Sequence, residues 1–307
     1  MYRHLFRIFI LFSLGFAALE GAGNGGDIKQ LYKQVLKSNY EQIAPLKEAA
    51  KKRQNAYIFS AIFALVIFAI FVKFYKAPGA LVAFLMIGAG IYYLKQSEPK
   101  IDIYKEAFGE KILTPIGKQC CGFVYKRGKI TRQEVEESGL FAPRIKSFEA
   151  KEGIFEGNGV RFGYVRIIFD THENESVERF AENEFEGYVI ELNRPNTHKG
   201  VLVSERLKQS VADIDPEFSA FFSKLPRKGK SNGFEVYGDV PQQRLDQCYP
   251  LADKEVGIAF LPHKTILFLS AKQDDLDPSV YGQFDLKSAP GYRQAFQKIA
   301  NIVKACH

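Results

Sequence analysis

The densest run of metal-ligating side chains in this chain starts at Asp170. Asp170, His172, Glu173 and Glu175 stand close together, and Glu178, Glu182 and Glu184 follow. Carboxylates with an imidazole are the donor set of a divalent-cation site, or of a metal-dependent hydrolase. The spacing fits no EF-hand loop and lacks its central glycine, so a solvated hairpin end is the favoured reading. Asp170, His172 and Glu173 remain the weak metal candidates. The adjacent Cys120 and Cys121 are a second possible centre, redox or metal-binding. Adjacent cysteines bridge only with strain and no C-x-x-C spacing is present, so core thiols are expected, with Cys248 and Cys306 reduced as well. Among the histidines, His172, His198 and His263 fall in expected loops, without an H-E-x-x-H, G-x-S-x-G or Walker glycine motif. Arg227, Lys228 and Lys230 form a basic loop that would suit anionic lipid heads if it faced a bilayer. No catalytic residue and no cofactor is assigned.

The elements that must carry these groups are organised around residues 56–94. Two apolar runs, Ala56–Tyr75 and Ala77–Leu94, meet at Lys76-Ala77-Pro78-Gly79. A helix rises about 1.5 Å per residue and the hydrocarbon core is about 30 Å thick, so each run nearly spans it. The short connection predicts an antiparallel transmembrane hairpin. Ser60 and Ala64 in the first run, and Gly79, Ala83, Met86 and Gly90 in the second, share faces at helical spacing. Small residues let membrane helices approach closely, so these form the expected contact stripe.

Charge is distributed unevenly about this hairpin. Up to Ile130 there are 19 Lys and Arg against 8 Asp and Glu; from Thr131 onward, 23 against 27. The excess of positive charge therefore lies beside the bilayer, which argues for anionic lipid as partner and against nucleic acid. Lys47, Lys51, Lys52, Arg53, Lys95, Lys100 and Lys105 flank the hairpin, against Lys73 and Lys76 at its tip, and the positive-inside rule puts both flanks in the cytoplasm. Residues 1–26 pull the other way. Arg3 and Arg7 precede an apolar stretch, Ile8–Leu19, with small residues at Gly15-Phe16-Ala17, and a cleaved signal there would export the domain to the periplasm. The juxtamembrane charges are given the greater weight. Cys306 is the thiol whose labelling would report the side.

Residues 27–55 read as juxtamembrane helix, with Asp27 as N-cap, a weakening at Ser38-Asn39, and Pro45 in the first turn of a second helix. The soluble domain, 100–307, opens with an amphipathic helix, Ile101–Ile116, and a short strand, Gly122–Ile130. Thr131-Arg132-Gln133-Glu134 is a capping box for a helix ended by Gly139. Period-two alternation then predicts strands at Ile145–Phe155, Val160–Asp170, Glu184–Leu192, Gly200–Glu205, Phe234–Tyr237, Val256–Leu261 and Thr265–Ala271. Asn158-Gly159 is a hairpin turn signal. Helices are expected at Pro216–Leu225, at Pro241–Leu251, and in a final stripe from Tyr292 to Val303. The class is α+β: a two-helix transmembrane hairpin, then an antiparallel-sheet domain with flanking helices.

Gly153-Ile154-Phe155-Glu156-Gly157 running into Phe162–Ile167, Phe185-Glu186-Gly187, and Phe234-Glu235-Val236-Tyr237 with Arg244 and Leu251 after it, together with the order of parts, resemble a bacterial membrane protein family known as domain of unknown function 3137. The resemblance implies a membrane-anchored cytoplasmic domain and no assigned activity. The expected function is therefore binding of a protein partner or ligand at the inner membrane surface. The alternative is a membrane-bound hydrolase using the acidic 170–186 region.

Overall fold

Alternating apolar residues make the long strands, and in this chain both faces of those strands are covered. The computed structural model describes residues 25–95, 99–141, 145–169, 184–212 and 225–306. Ten strands form one antiparallel sheet: β1 (Val124–Lys126), β2 (Ile145–Ala150), β3 (Ile154–Gly157), β4 (Val160–Phe169), β5 (Glu184–Leu192), β6 (Gly200–Ser204), β7 (Arg227–Ser231), β8 (Phe234–Gly238), β9 (Val256–Phe260) and β10 (Thr265–Ser270). Their spatial order is β1-β3-β4-β5-β10-β9-β6-β8-β7, with β2 also paired to β4.

Phe162, Tyr164, Tyr188 and Ile190 point to one face; Val165, Ile167, Phe185 and Val189 point to the other. The first face is covered by a helical arm, α3 (Pro99–Phe108), a π turn (Gly109–Leu113) and α4 (Thr114–Cys121), and by the C-terminal helix α8 (Ala289–Ala305). Phe296 of α8 is fully buried against Phe123, Phe155 and Phe162. The second face is covered by α5 (Arg132–Glu137), Leu140, Phe141 and Leu207 of α6 (Glu205–Ala212). α7 (Gln242–Cys248) follows β8 and leads into a 3-10 turn, Tyr249–Leu251.

Much of the local grammar is as expected. Asn158 and Gly159 turn from β3 into β4 at φ +53° and +74°. That two-residue reversal needs positive φ at both positions. A Cβ on Gly159 would meet nothing within 4 Å. Gly159→Ala should therefore cost only the left-handed backbone strain, about 1 kcal/mol, read by urea unfolding. The capping box is formed, with Thr131 Oγ1 accepting from Glu134 N and Glu134 accepting from Thr131 N.

The short strand expected over Gly122–Ile130 is confined to Val124–Lys126, and three stretches differ more. The strand expected over Ile145–Phe155 is split at Lys151–Gly153, where Gly153 adopts φ +101° and Lys151 N donates to Tyr164 O. The basic loop is instead the edge strand β7: Arg227 pairs with Glu235, Lys228 with Asp239 and Lys230 with Glu205, so its charges serve the domain's own carboxylates. The N-terminal helix starts at Gly25, upstream of the expected cap Asp27, and runs as α1 (Gly25–Leu31), a π turn (Tyr32–Leu36) and α2 (Lys37–Lys95), with no break at Ser38-Asn39 or Pro45. Packing overrides those weak local signals: Ile28, Leu36, Ile43 and Ala50 are buried on one stripe against the domain. The helix expected at Pro216–Leu225 lies almost wholly outside the described residues.

α2 passes from this buried stripe into a surface of a different kind. Phe59, Phe63 and Leu65 are exposed by 65–70%. Ile28–Ile70 is long and apolar enough to cross a membrane, with a window of mean hydropathy 1.6 that is unburied. The helix carries on through Lys76-Ala77-Pro78-Gly79 to Lys95.

Candidate functional site

Lysines, aspartates and tyrosines converge on a cavity of about 230 Å³ between the helical arm and the β4–β5–β10 face. α3 contributes Asp102 and Lys105, and the β2–β3 connection contributes Lys151, Glu152 and Gly153. The sheet supplies Tyr125, Phe155, Tyr164 and Tyr188, and the segment after β10 supplies Asp274, Leu276, Asp277 and Pro278. The register of β4 against β5 sets Tyr164 opposite Tyr188, with the rings edge to face at 5.2 Å.

Among the charged groups of the cavity Asp274 is the most buried, its side chain 9% exposed. It accepts from Tyr188 Oη at 2.8 Å and from Leu276 N at 3.0 Å. Lys151 Nζ sits 3.6 Å from Asp274 Oδ2, 3.0 Å from Asp277 Oδ2 and 4.7 Å above the Tyr164 ring. Lys105 Nζ closes the outer side at 2.8 Å from Asp277 Oδ1. The ammonium of Lys151 thus occupies a cage of two carboxylates and one aromatic face. Four carboxylates against two ammonium groups leave the lining net negative. Burial pushes the Tyr125 phenol up to about 12 and those of Tyr164 and Tyr188 higher, so all three remain donors at neutral pH.

Burial also pushes Asp274 above its ordinary 3.8, only partly opposed by Lys151 and the Tyr188 hydrogen bond. A carboxyl with a raised folded-state pKa binds extra protons in the fold. It therefore lowers stability as pH rises from its ordinary value through the raised one. Asp274→Asn keeps an acceptor for Tyr188 and removes the titration. Across that window the variant should gain on the parent by about 1.4 kcal/mol per pH unit, then level off. Urea unfolding at a series of pH values checks this, and parallel curves would refute it.

The residues expected from sequence are scattered. Asp170, His172 and Glu173 lie outside the described residues. Glu184 opens β5 and pairs with Arg166 at 2.6 Å. His198 Nδ1 is 3.5 Å from Asp239, and His263 lines an open groove by the β3–β4 turn with Lys126, Arg161 and Lys264. The Arg161 and Lys264 charges in that groove are matched by Glu134, Glu137 and Glu191 at 2.7–3.1 Å. Cys120 and Cys121, expected as separate thiols, are joined to each other at the end of α4. Cys248 and Cys306 are free, buried and 3.9 Å apart. Cys306 is thus unsuited to the labelling role expected of it. Of the membrane stripe, Ser60 is exposed and Ala64 half-buried; the side chains of Gly79, Ala83 and Gly90 lie outside the described residues.

A further polar centre lies far across the sheet. Glu235 on β8 is fully buried and takes Lys208 Nζ at 2.5 Å, Arg227 Nη2 at 2.8 Å and Tyr237 Oη at 2.9 Å. Burial alone would raise its pKa, but those partners hold it below the usual glutamate range. Every acceptor oxygen there is used, which makes it a structural tie.

Sequence reasoning missed the cavity because its members come from at least six separate stretches, and Asp274-Asp275-Leu276-Asp277 reads as a polar loop. The available signal was tyrosine at Tyr164 and Tyr188, on positions whose alternation marks them as inward-facing. No family model, curated protein or solved structure matches this chain.

Proposed function

We propose that this chain is a membrane-anchored binding protein, whose α+β domain holds a ligand or protein partner at the inner membrane surface. The observation that carries the reading is the Lys–Asp–Tyr cavity lying beside the exposed apolar helix. The two are physically coupled. Tyr281 Oη donates to Asn55 Oδ1 at 2.9 Å, one residue before the apolar run begins. The buried Lys47 Nζ donates to Tyr40 Oη at 3.0 Å and to Gly282 O.

A two-span hairpin is part of the proposal, and chain geometry supports it. Asn39 Nδ2 donates to Lys111 O at 2.7 Å, and Lys111 Nζ to Gln42 Oε1 at 2.6 Å. A straight α2 would put Lys95 about 80 Å from Gln42. The sixteen residues from Lys95 to Lys111 reach at most about 55 Å even fully extended. Antiparallel helices of equal rise bring together residues whose numbers have a constant sum. The pairs 39/111 and 42/111 support a reversal near residues 75–77. Pro78 removes a helical hydrogen bond and Gly79 relaxes the backbone beside it, which suits a sharp bend there. The half-burial of Ala64 supports close packing on that side.

The flanking lysines favour the cytoplasmic side; a periplasmic domain is the alternative. The family resemblance enters only as a proposal, its quoted segments falling on β3, β4, β5 and β8. The hydrolase alternative gains no support from the described part of 170–186, where Glu184 is engaged by Arg166.

The test uses full-length protein in cells, with the native cysteines changed to Ala and a reporter at Asn301→Cys, exposed on α8. Retention in the membrane pellet after alkaline carbonate washing, with impermeant-thiol labelling only after lysis, is the expected result. Release by carbonate would refute the anchor, and labelling of intact cells would refute the cytoplasmic side. For binding, the purified chain should carry a ligand or stoichiometric partner that Asp277→Asn loses; no such difference would refute that part.

A further inference from the structure

Resting on the membrane-anchored reading, we propose that the cavity binds the primary ammonium of an aminophospholipid head group, with Lys151 as a tethered occupant that the head group displaces. The strongest observation is what the cavity already holds. The Lys151 ammonium lies 3.0 Å from one carboxylate, 3.6 Å from a second and 4.7 Å over an aromatic face. That is the recognition set for a protonated amine: two acceptors and a π surface.

The tether is loose. The Lys151 side chain is 40% exposed and sits in the Lys151–Gly153 break between β2 and β3, so it can swing into water without disturbing the strands. About 230 Å³ lies beside it, room for several heavy atoms, since a water takes about 30 Å³. Exposure rises from 9% at Asp274 through 27% at Asp277 to 34% at Lys105. Two carboxylates are therefore deep, while Lys105 shares the rim with the exposed Asp102 and Glu152. A zwitterion entering ammonium first would meet Asp274 and Asp277 with its amine and leave its phosphate to Lys105. A quaternary ammonium has no N–H to donate and fits the carboxylates less well.

Two routes put this rim at the head-group layer. Pro278 lines the cavity and stands three residues before Tyr281, which binds Asn55 at the start of the apolar run. Three residues reach at most about 10 Å. On the other side, Asp102 and Lys105 lie within two turns of Pro99, where α3 starts after the second run. A lipid is thus the nearer source of the ammonium, and a soluble amine is the other.

The test is native mass spectrometry of the full-length chain released from micelles doped with phosphatidylethanolamine, with phosphatidylcholine, or with free ethanolamine in the buffer. Selective retention of phosphatidylethanolamine is expected. Lys151→Met should tighten it by up to about tenfold, the factor for a site that its own side chain fills nine-tenths of the time. Asp277→Asn should weaken it about tenfold or more. The melting curve of each variant separates misfolding from lost binding, and Asp102→Asn gives a second, rim-located change that leaves the deep cage untouched. Equal retention of both lipids, or no response to Lys151→Met, overturns the proposal. Saturation by free ethanolamine without lipid selectivity keeps the ammonium cage and overturns the lipid source. Carbonate release of the protein would instead mark failure of the anchor reading, independently of these arms.

Discussion

Glu235→Gln is expected to lower the stability of the soluble domain by about 3 kcal/mol. The carboxylate is fully buried, while Lys208 and Arg227 reach it from positions that are 28% and 47% exposed. Removing one member of a buried charged network usually costs about 3–5 kcal/mol, because the remaining charges are left unpaired. Here the two cations can turn partly to water, which sets the loss at the low end. In a domain of this size the melting temperature should fall by about 6–12 °C. The sign with pH follows from the depressed pKa of Glu235. Its contribution is complete above the ordinary glutamate pKa and disappears as pH falls through the folded-state value. The gap between parent and variant should therefore close in acid. A second variant checks the cause: changing Lys208 and Arg227 to Met together with Glu235→Leu should recover much of the loss. If Glu235→Gln melts like the parent at neutral pH, the network is not a structural tie.

What could be read from sequence divides along the range of the interactions involved. Asn158-Gly159, the Thr131–Glu134 box and the alternation over Glu184–Leu192 are decided by neighbours a few residues away, and each forms as the local rules require. The basic Arg227–Ser231 stretch reads as a loop because strand propensity is poor there. It becomes β7 through pairing with β8 and through Glu235, whose burial is invisible from its own sequence window. The helix through Pro45 is a similar case. Local signals predict a break, but Leu36, Ile43 and Ala50 make one continuous stripe against the domain. The cavity was the least legible part. Lys105, Lys151, Tyr188 and Asp274 are dispersed along the chain and meet only once the sheet order β4-β5-β10 is set.

Phe284→Ala should have the other large effect, and it distinguishes a domain rigidly docked on the N-terminal helix from one merely tied to it. Phe284 is buried between Tyr32 and Tyr40 of the N-terminal helix, Phe108 of α3 and Tyr292 of α8, at ring distances of 5.4–6.1 Å. Its ring contacts join the N-terminal helix, the arm and the C-terminal helix. Truncating a buried phenylalanine costs about 3–5 kcal/mol. A global loss of that size would follow from any core position, so the informative readout is local. The Asp277–Phe284 segment is held to α2 by Phe284, by Tyr281 on Asn55 and by Lys47 on Gly282. With the ring gone, those two bonds carry more of the tie to α2, while Asp277 stays paired with Lys105 and Lys151. A short bismaleimide joining Asn55→Cys to Tyr281→Cys should then react several-fold more slowly, while Phe284→Leu keeps most of the rate. Retention of phosphatidylethanolamine should fall alongside it, because Asp277 belongs to the same segment. An unchanged cross-linking rate in a clearly destabilised Phe284→Ala would mean that the segment is held by its polar bonds alone. The cavity would then owe its position beside the long apolar helix to α3 rather than to this aromatic clasp.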